Sequence, residues 1–228
     1  MASKLARPVI MLVTDWSVIA PAENDVDALE RLLDLIEIWA NAGVSVVQIR
    51  EANLSDALVV DLVRRATDRV KGTGARVLVN GRPDIALAAA ADGVHLKDDA
   101  SSSFRIRSLG PKNWIVGQSV HDIEGAEHAS ATGNIDYLVV GNIFKTDSHH
   151  GSHSLGLREF ERIVNAVSVP VIAIGGVRFS HVSVVAEAGG AGVAGIRLFC
   201  ERSDCSALER VDHVRAVYEN LMGENRLG

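Results

Sequence analysis

Pro170-Val171-Ile172-Ala173-Ile174-Gly175-Gly176 is the stretch whose reading decides the fold. An unbroken apolar run follows a proline and stops at two glycines. Such a run reads as a strand buried on both faces, the kind that parallel sheets contain. The glycine pair lets the backbone approach a neighbour or a ligand with no Cβ in the way. A second run, Gly192-Val193-Ala194-Gly195-Ile196-Arg197-Leu198-Phe199, reads as the next strand. Two late parallel strands, with a glycine turn after the first, are the phosphate-binding end of a (β/α)8 barrel. The bland alternative is a glycine pair that only turns a strand into a helix.

Outward from this pair the chain alternates. Strands are predicted over 9–14, 44–49, 76–79, 93–96, 114–120, 137–144 and 192–199, beside the opening stretch. Helices are predicted over 25–41, 84–91, 101–109, 124–131, 159–167, 181–188 and 206–221, with another that Asn53 or Ser55 caps. In the first helix Val26, Leu29, Leu32, Leu33, Ile36 and Trp39 recur at helical spacing. Strands alternating with helices over short connections predict a parallel sheet with helices outside. The expectation is an α/β chain folded as one (β/α)8 TIM barrel domain over residues 1–228, with a doubly wound open sheet as runner-up. The long irregular loop, 145–156, has the length of a functional or mobile segment.

A chain of 228 residues has the typical size of one barrel and buries a large core without disulfides. Apolar residues make up 47% and aromatics 4%, which suits close-packed strands and helices better than a base-stacking platform. The net charge of −6 disfavours non-specific binding to nucleic acid or anionic membranes. Cys200 and Cys205 read as ordinary thiols of a reducing cytoplasm. The start, Met1 to Arg7, reaches Pro8 before any long apolar region, so no signal peptide is expected. No run has the length needed to span a bilayer. A cytoplasmic protein is the expectation, and self-association stays open.

A barrel of this kind carries its active site at the C-terminal strand ends. The polar residues there are Thr14-Asp15, Gln48 and Arg50, Asn80, Lys97-Asp98-Asp99, Ser119 and His121, Asn142 with Thr146, Gly175-Gly176, and Arg197. Arg50 offers a planar fork of donors to phosphate, unless it forms an ion pair with Glu51 or Asp56. Gln48 lies two residues earlier and faces the same, interior side. A polar group there needs a partner, which a ligand would supply. Asp98 and Asp99 suit Mg²⁺, or simply form a solvated acidic turn. His149, His150 and His153 read as a metal tract or as chance histidines in a loop. His95 and His121 are acid–base candidates whose default is packing. The cysteines have no base or charge beside them in sequence.

In order along the chain stand Leu12-Val13-Thr14-Asp15, Val47-Gln48-Ile49-Arg50-Glu51, Val79-Asn80-Gly81-Arg82 and Ala91-Asp92-Gly93-Val94-His95-Leu96. They are followed by Gly117-Gln118-Ser119-Val120-His121, by Asp136-Tyr137 with Gly141-Asn142-Ile143-Phe144-Lys145-Thr146, and by Ala173-Ile174-Gly175-Gly176. Together these motifs resemble the thiamine phosphate synthase and thiazole tautomerase family, over residues 9–200. The resemblance implies a (β/α)8 barrel in thiamine biosynthesis. Its synthase joins hydroxymethylpyrimidine diphosphate to thiazole phosphate and releases diphosphate with help from Mg²⁺. By match to the motifs, Arg50, Asn80 and Ser119 would be catalytic. Gln48, Thr146, Ser148, Gly175 and Gly176 would bind substrate or phosphate, with Arg197 as an added cation and Asp99 as metal ligand.

The chain departs from the synthase pattern at several positions. Ala52 stands for a lysine, Gly81 and Ala100 for two magnesium aspartates, His149 for a lysine, and Arg197 for a serine. Asp99 matches the second aspartate only with a one-residue slip. The tautomerase branch lacks the metal set but carries a catalytic histidine where Asn142 stands. Three readings follow: a synthase-like transferase, a metal-independent thiazole tautomerase, and a non-catalytic barrel for phosphorylated thiamine intermediates. Each takes phosphorylated small molecules, and none calls for nucleic acid or a membrane.

Overall fold

The computed structural model describes residues 5–22, 24–98, 103–145, 154–200 and 205–224. Eight parallel strands close a barrel in sequence order. They are β1 (Val9–Val13), β2 (Val46–Ile49), β3 (Arg76–Asn80), β4 (Gly93–Leu96), β5 (Ile115–Val120), β6 (Tyr137–Val140), β7 (Val171–Ala173) and β8 (Gly192–Gly195). Pairing of Met11 with Ala194 closes the ring. The fold is a (β/α)8 TIM barrel, as the alternation of elements predicts.

The helices pack outside. Among the described residues they are α1 (Trp16–Ile19), α2 (Asp25–Ala42), α3 (Asp56–Arg69), α4 (Pro83–Ala88), α5 (Ser103–Leu109), α6 (Ile123–Ala131), α7 (Leu157–Ala166), α8 (Val182–Glu187) and α9 (Ala207–Glu224). Their starts follow capping chemistry. The side chains of Asn24, Ser55 and Asp122 accept backbone N–H groups of Asp27, Leu58 and Gly125. Between α2 and α3, Arg69 bonds Asp34 at 3.0 Å and also reaches Glu37.

Alternation along each strand divides the core in two. Ile10, Leu12, Val47 and Val79 point outward and join the helices in the larger apolar layer. Val9, Met11, Val13, Val46, Leu78, Ile115, Tyr137, Val139, Ile172 and Ala194 fill the barrel itself. The inner filling is thus a packed core and not a pore, so ligand access is confined to the ends. Gly117 is needed for that filling: a Cβ there would overlap the Tyr137 ring.

Three expected elements differ. Strand six ends at Val140, not at 144. The backbone leaves the ladder at Gly141–Asn142, whose peptide is cis, and pairs again one residue out of step. Ile143 N–H then donates to Ile174 O at 3.0 Å and Phe144 N–H to Gly175 O at 2.9 Å. Strand eight stops at Gly195, and Arg197–Phe199 forms a 3-10 turn. The one-turn helix α1 occupies a segment expected to be loop; four residues are too few to show helical periodicity.

Candidate active site

The C-terminal strand ends form a polar mouth above the apolar filling. On the interior side of β2, the Gln48 amide donates to Asn80 Oδ1 on β3 at 3.0 Å. Asn80 thus supplies the partner that Gln48 needs, and the pair is held in place before any ligand arrives. Thr14, fully buried after β1, accepts the Arg50 backbone N–H at 3.0 Å. That bond fixes the start of the loop that carries the Arg50 side chain.

Arg50 is exposed at the mouth. Its two rival carboxylates are engaged elsewhere. Asp56 is gripped by both guanidinium nitrogens of Arg82, at 2.7 and 2.8 Å, and Arg82 also holds Asp84. The Glu51 carboxylate accepts the Trp16 N–H at 3.2 Å. Among the described residues Arg50 makes no ion pair, which leaves its fork for an anion.

Burial beneath this loop pushes the Glu51 carboxyl up to about 6, against the hydrogen bonds of Thr14 and Trp16. The native state therefore holds this proton more tightly than the unfolded chain does. Its contribution to stability is full below about 4.5 and is lost as pH rises through about 6. We expect Glu51→Gln to match the parent protein in thermal midpoint at the acid end of that window and to exceed it above the window. Calorimetry across pH checks this, and a difference that is constant with pH would refute it.

On β4 and β5, His95 lies fully inside the wall. Its Nε2 is 2.9 Å from Ser119 Oγ and its Nδ1 is 3.0 Å from the Tyr137 hydroxyl. Burial holds the His95 imidazole down to about 4 and pushes the Tyr137 phenol well above its ordinary range. His95 is thus a neutral, packed histidine, which is the default reading of it. His121 is exposed; its Nδ1 donates to Gly141 O at 2.7 Å and its Nε2 stands 3.8 Å from Asp98 Oδ2.

Lys97 follows directly on β4 and is exposed at the mouth. Its Cε passes 3.4 Å from where a Cβ of Gly81 would sit. Among the described residues this ammonium also makes no ion pair. Lys97 and Arg50 place two cations at the mouth, after β4 and β2. The same geometry tests the expected magnesium site. Mg²⁺ needs carboxylate and phosphate oxygens. Gly81 supplies no ligand, Lys97 puts a positive charge beside it, and no group of three or more candidate ligand side chains forms among the described residues. Among the described residues no complete ligand set for the metal is present. Asp99 and Ala100 lie outside them, as do Thr146, Ser148, His149, His150 and His153.

Across the mouth, Gly175 and Gly176 follow β7 with φ of +88° and +65°. A Cβ on Gly175 would lie 2.5 Å from Asn142 Oδ1; one on Gly176 would overlap Lys145 O and lie 2.8 Å from Phe144 O. The chain after β6 therefore lies directly on the glycine pair. Phe144 is pinned there by stacking on His181, ring centres 4.0 Å apart. Among the described residues the N–H groups of Gly175 and Gly176 have no acceptor. Two adjacent unpaired donors at this end suit an anion. Arg197 is exposed on the turn after β8. Burial pushes the Cys200 thiol up to about 11 despite the pull of Arg197, which agrees with an inert cysteine.

Sequence reading missed Glu51 as a half-buried acid, Tyr137 as a polar partner, and the contact of Lys97 with Gly81.

This is a closed parallel barrel that gathers polar groups at its C-terminal strand ends, where barrels of this class carry their sites. A family model described as thiamine monophosphate synthase matches residues 16–199. A thiamine-phosphate synthase of Archaeoglobus fulgidus is 34% identical over 191 residues, 82% of this chain and 89% of the relative. One of Haloarcula marismortui is 30% identical over 205 residues, 88% of this chain and 97% of the relative. The solved thiamine phosphate pyrophosphorylase of Pyrococcus furiosus superposes with a TM-score of 0.76 at 24% identity, covering 93% of this chain and 96% of that one. The chain belongs to the thiamine monophosphate synthase family.

Proposed function

We propose that this protein is a thiamine phosphate synthase, joining hydroxymethylpyrimidine diphosphate to thiazole phosphate with release of diphosphate. Family membership gives the reaction. The observation that supports it here is that the mouth carries two groups of potential donors: Arg50, Lys97 and Ser119 at the ends of β2, β4 and β5, and Gly175 and Gly176 after β7. The reaction needs two such groups, one for the diphosphate and one for the thiazole phosphate.

In the reaction the carbon–oxygen bond of the pyrimidine breaks and its electron pair leaves with diphosphate. The lone pair of the thiazole nitrogen then forms the new carbon–nitrogen bond. Arg50 and Lys97 stabilise the charge that grows on the leaving group, and Ser119 donates to one of its oxygens. The Gln48–Asn80 pair orients the pyrimidine ring. The packed barrel below keeps water from the cationic carbon. Gly175 and Gly176 hold the thiazole phosphate by backbone donors. No step here runs through a metal. The two thiols, neither in a disulfide, agree with a cytoplasmic setting.

We expect Lys97→Met to weaken inorganic diphosphate binding about tenfold, or about 1.4 kcal/mol, with the thermal midpoint kept. Titration calorimetry in the presence of a chelator measures this, and equal affinities would remove Lys97 from the site. The activity itself is tested by supplying both phosphorylated substrates and following thiamine phosphate and diphosphate. Equal amounts of both products are expected. Isomerisation of a thiazole carboxylate phosphate with no coupling would favour the tautomerase reading.

A further inference from the structure

The buried contacts of His95 lead to Ser119, and their direction can be worked out from proton counting. Tyr137 is fully buried. Among the described residues its hydroxyl has one partner, His95 Nδ1 at 3.0 Å. A buried phenol proton without an acceptor is costly, so the hydroxyl donates and Nδ1 accepts. Nδ1 then carries no proton, and a neutral imidazole must carry it on Nε2. Neutrality agrees with the depressed proton affinity that burial imposes. Nε2–H therefore donates to Ser119 Oγ, 2.9 Å away. The Ser119 hydroxyl, having accepted from the wall, keeps its own proton for a group outside it. Ser119 is half-buried on β5 at the mouth, and His95 is its one side-chain partner among the described residues.

We propose that Tyr137 and His95 are positioning residues that orient Ser119 as a hydrogen-bond donor toward an anionic phosphate oxygen in the mouth. The chain runs Tyr137 O–H to Nδ1, Nε2–H to Oγ, and Oγ–H to the ligand. It spans three adjacent strands, β4, β5 and β6, so the donor direction is set by the rigid barrel wall and not by a loop. No proton is transferred; the relay fixes polarity. The reverse arrangement would point the Ser119 proton back into the wall and turn a lone pair toward the anion, which repels it. Assigning the phosphate oxygen to the leaving diphosphate rests on the synthase reading, whereas the orientation of Ser119 does not.

The test is a double-mutant cycle read by binding of inorganic diphosphate, with nitrogen NMR of the labelled His95 ring beside it. We expect Tyr137→Phe, which removes only the hydroxyl, and Ser119→Ala each to weaken binding about fivefold. The double variant should bind no more weakly than Ser119→Ala alone, because Tyr137 acts only through that hydroxyl. A merely structural Tyr137 would give effects that add, and additivity overturns the proposal. In the parent protein the ring should show an unprotonated Nδ1 and a protonated Nε2 near neutral pH. The opposite tautomer overturns the proposal even where Tyr137→Phe fails to fold. Diphosphate binding without thiamine phosphate formation would defeat the synthase reading and leave this inference standing. A parent protein that binds no diphosphate would defeat the inference.

Discussion

Gly176→Ala lowers the thermal midpoint by about 5–15 °C. The residue is held at φ +65°, where an L side chain strains the backbone by about 1–2 kcal/mol. The new Cβ would also meet main-chain oxygens of Lys145 and Phe144, which cannot rotate aside. Overpacking of this kind adds about 1–3 kcal/mol. For a chain of this size each kcal/mol moves the midpoint by about 2–4 °C. Gly133 provides the control. It has the same φ of +65°, but nothing lies within 4 Å of its Cβ position. Gly133→Ala should therefore show the backbone strain alone. Equal shifts in the two variants would mean that the chain after β6 does not rest on the glycine pair. Gly176→Ala should also weaken binding of a thiazole phosphate, since the backbone donors beside it move with the displaced loop.

Arg50→Ala weakens diphosphate binding by tenfold or more, about 1.5–3 kcal/mol for one charge-assisted contact. Two facts make the effect local. The Arg50 backbone N–H, which ties the loop to Thr14, survives the substitution. The guanidinium makes no ion pair among the described residues, so no carboxylate is orphaned by its loss. Arg82 is the contrast at the same end of the barrel. It is spent on Asp56 and Asp84, and Arg82→Ala should leave diphosphate affinity unchanged. A Kd that is the same in Arg50→Ala and the parent would remove Arg50 from the anion site.

The barrel was legible because its strands are short, apolar and punctuated. Each run buried on both faces leaves few readings, and repetition of strand and helix leaves fewer. The interior position of Gln48 followed from period-two alternation. What the sequence did not reveal are features that depend on contacts between distant residues. Strand six could not be ended correctly, because its changed pairing, Ile143 with Ile174 and Phe144 with Gly175, joins residues far apart in sequence. The Tyr137–His95–Ser119 chain joins residues 42 and 24 positions apart, and a tyrosine at a strand start looks like ordinary filling. Glu51 reads as a surface acid until α1 covers it. The loss of a carboxylate at Gly81 was visible. That Lys97 fills the space beside it emerged only when β3 and β4 were set side by side.

The central claim is that this mouth couples two phosphorylated substrates using cations of its own chain. The most direct measurement is the rate of thiamine phosphate formation by purified protein from hydroxymethylpyrimidine diphosphate and thiazole phosphate, beside Lys97→Met and Arg50→Ala, with Mg²⁺ supplied or chelated. The account predicts product from the parent protein and a fall in kcat/KM of about tenfold or more in each variant. No product from the parent protein under either condition, or variants that keep the full rate, would contradict it.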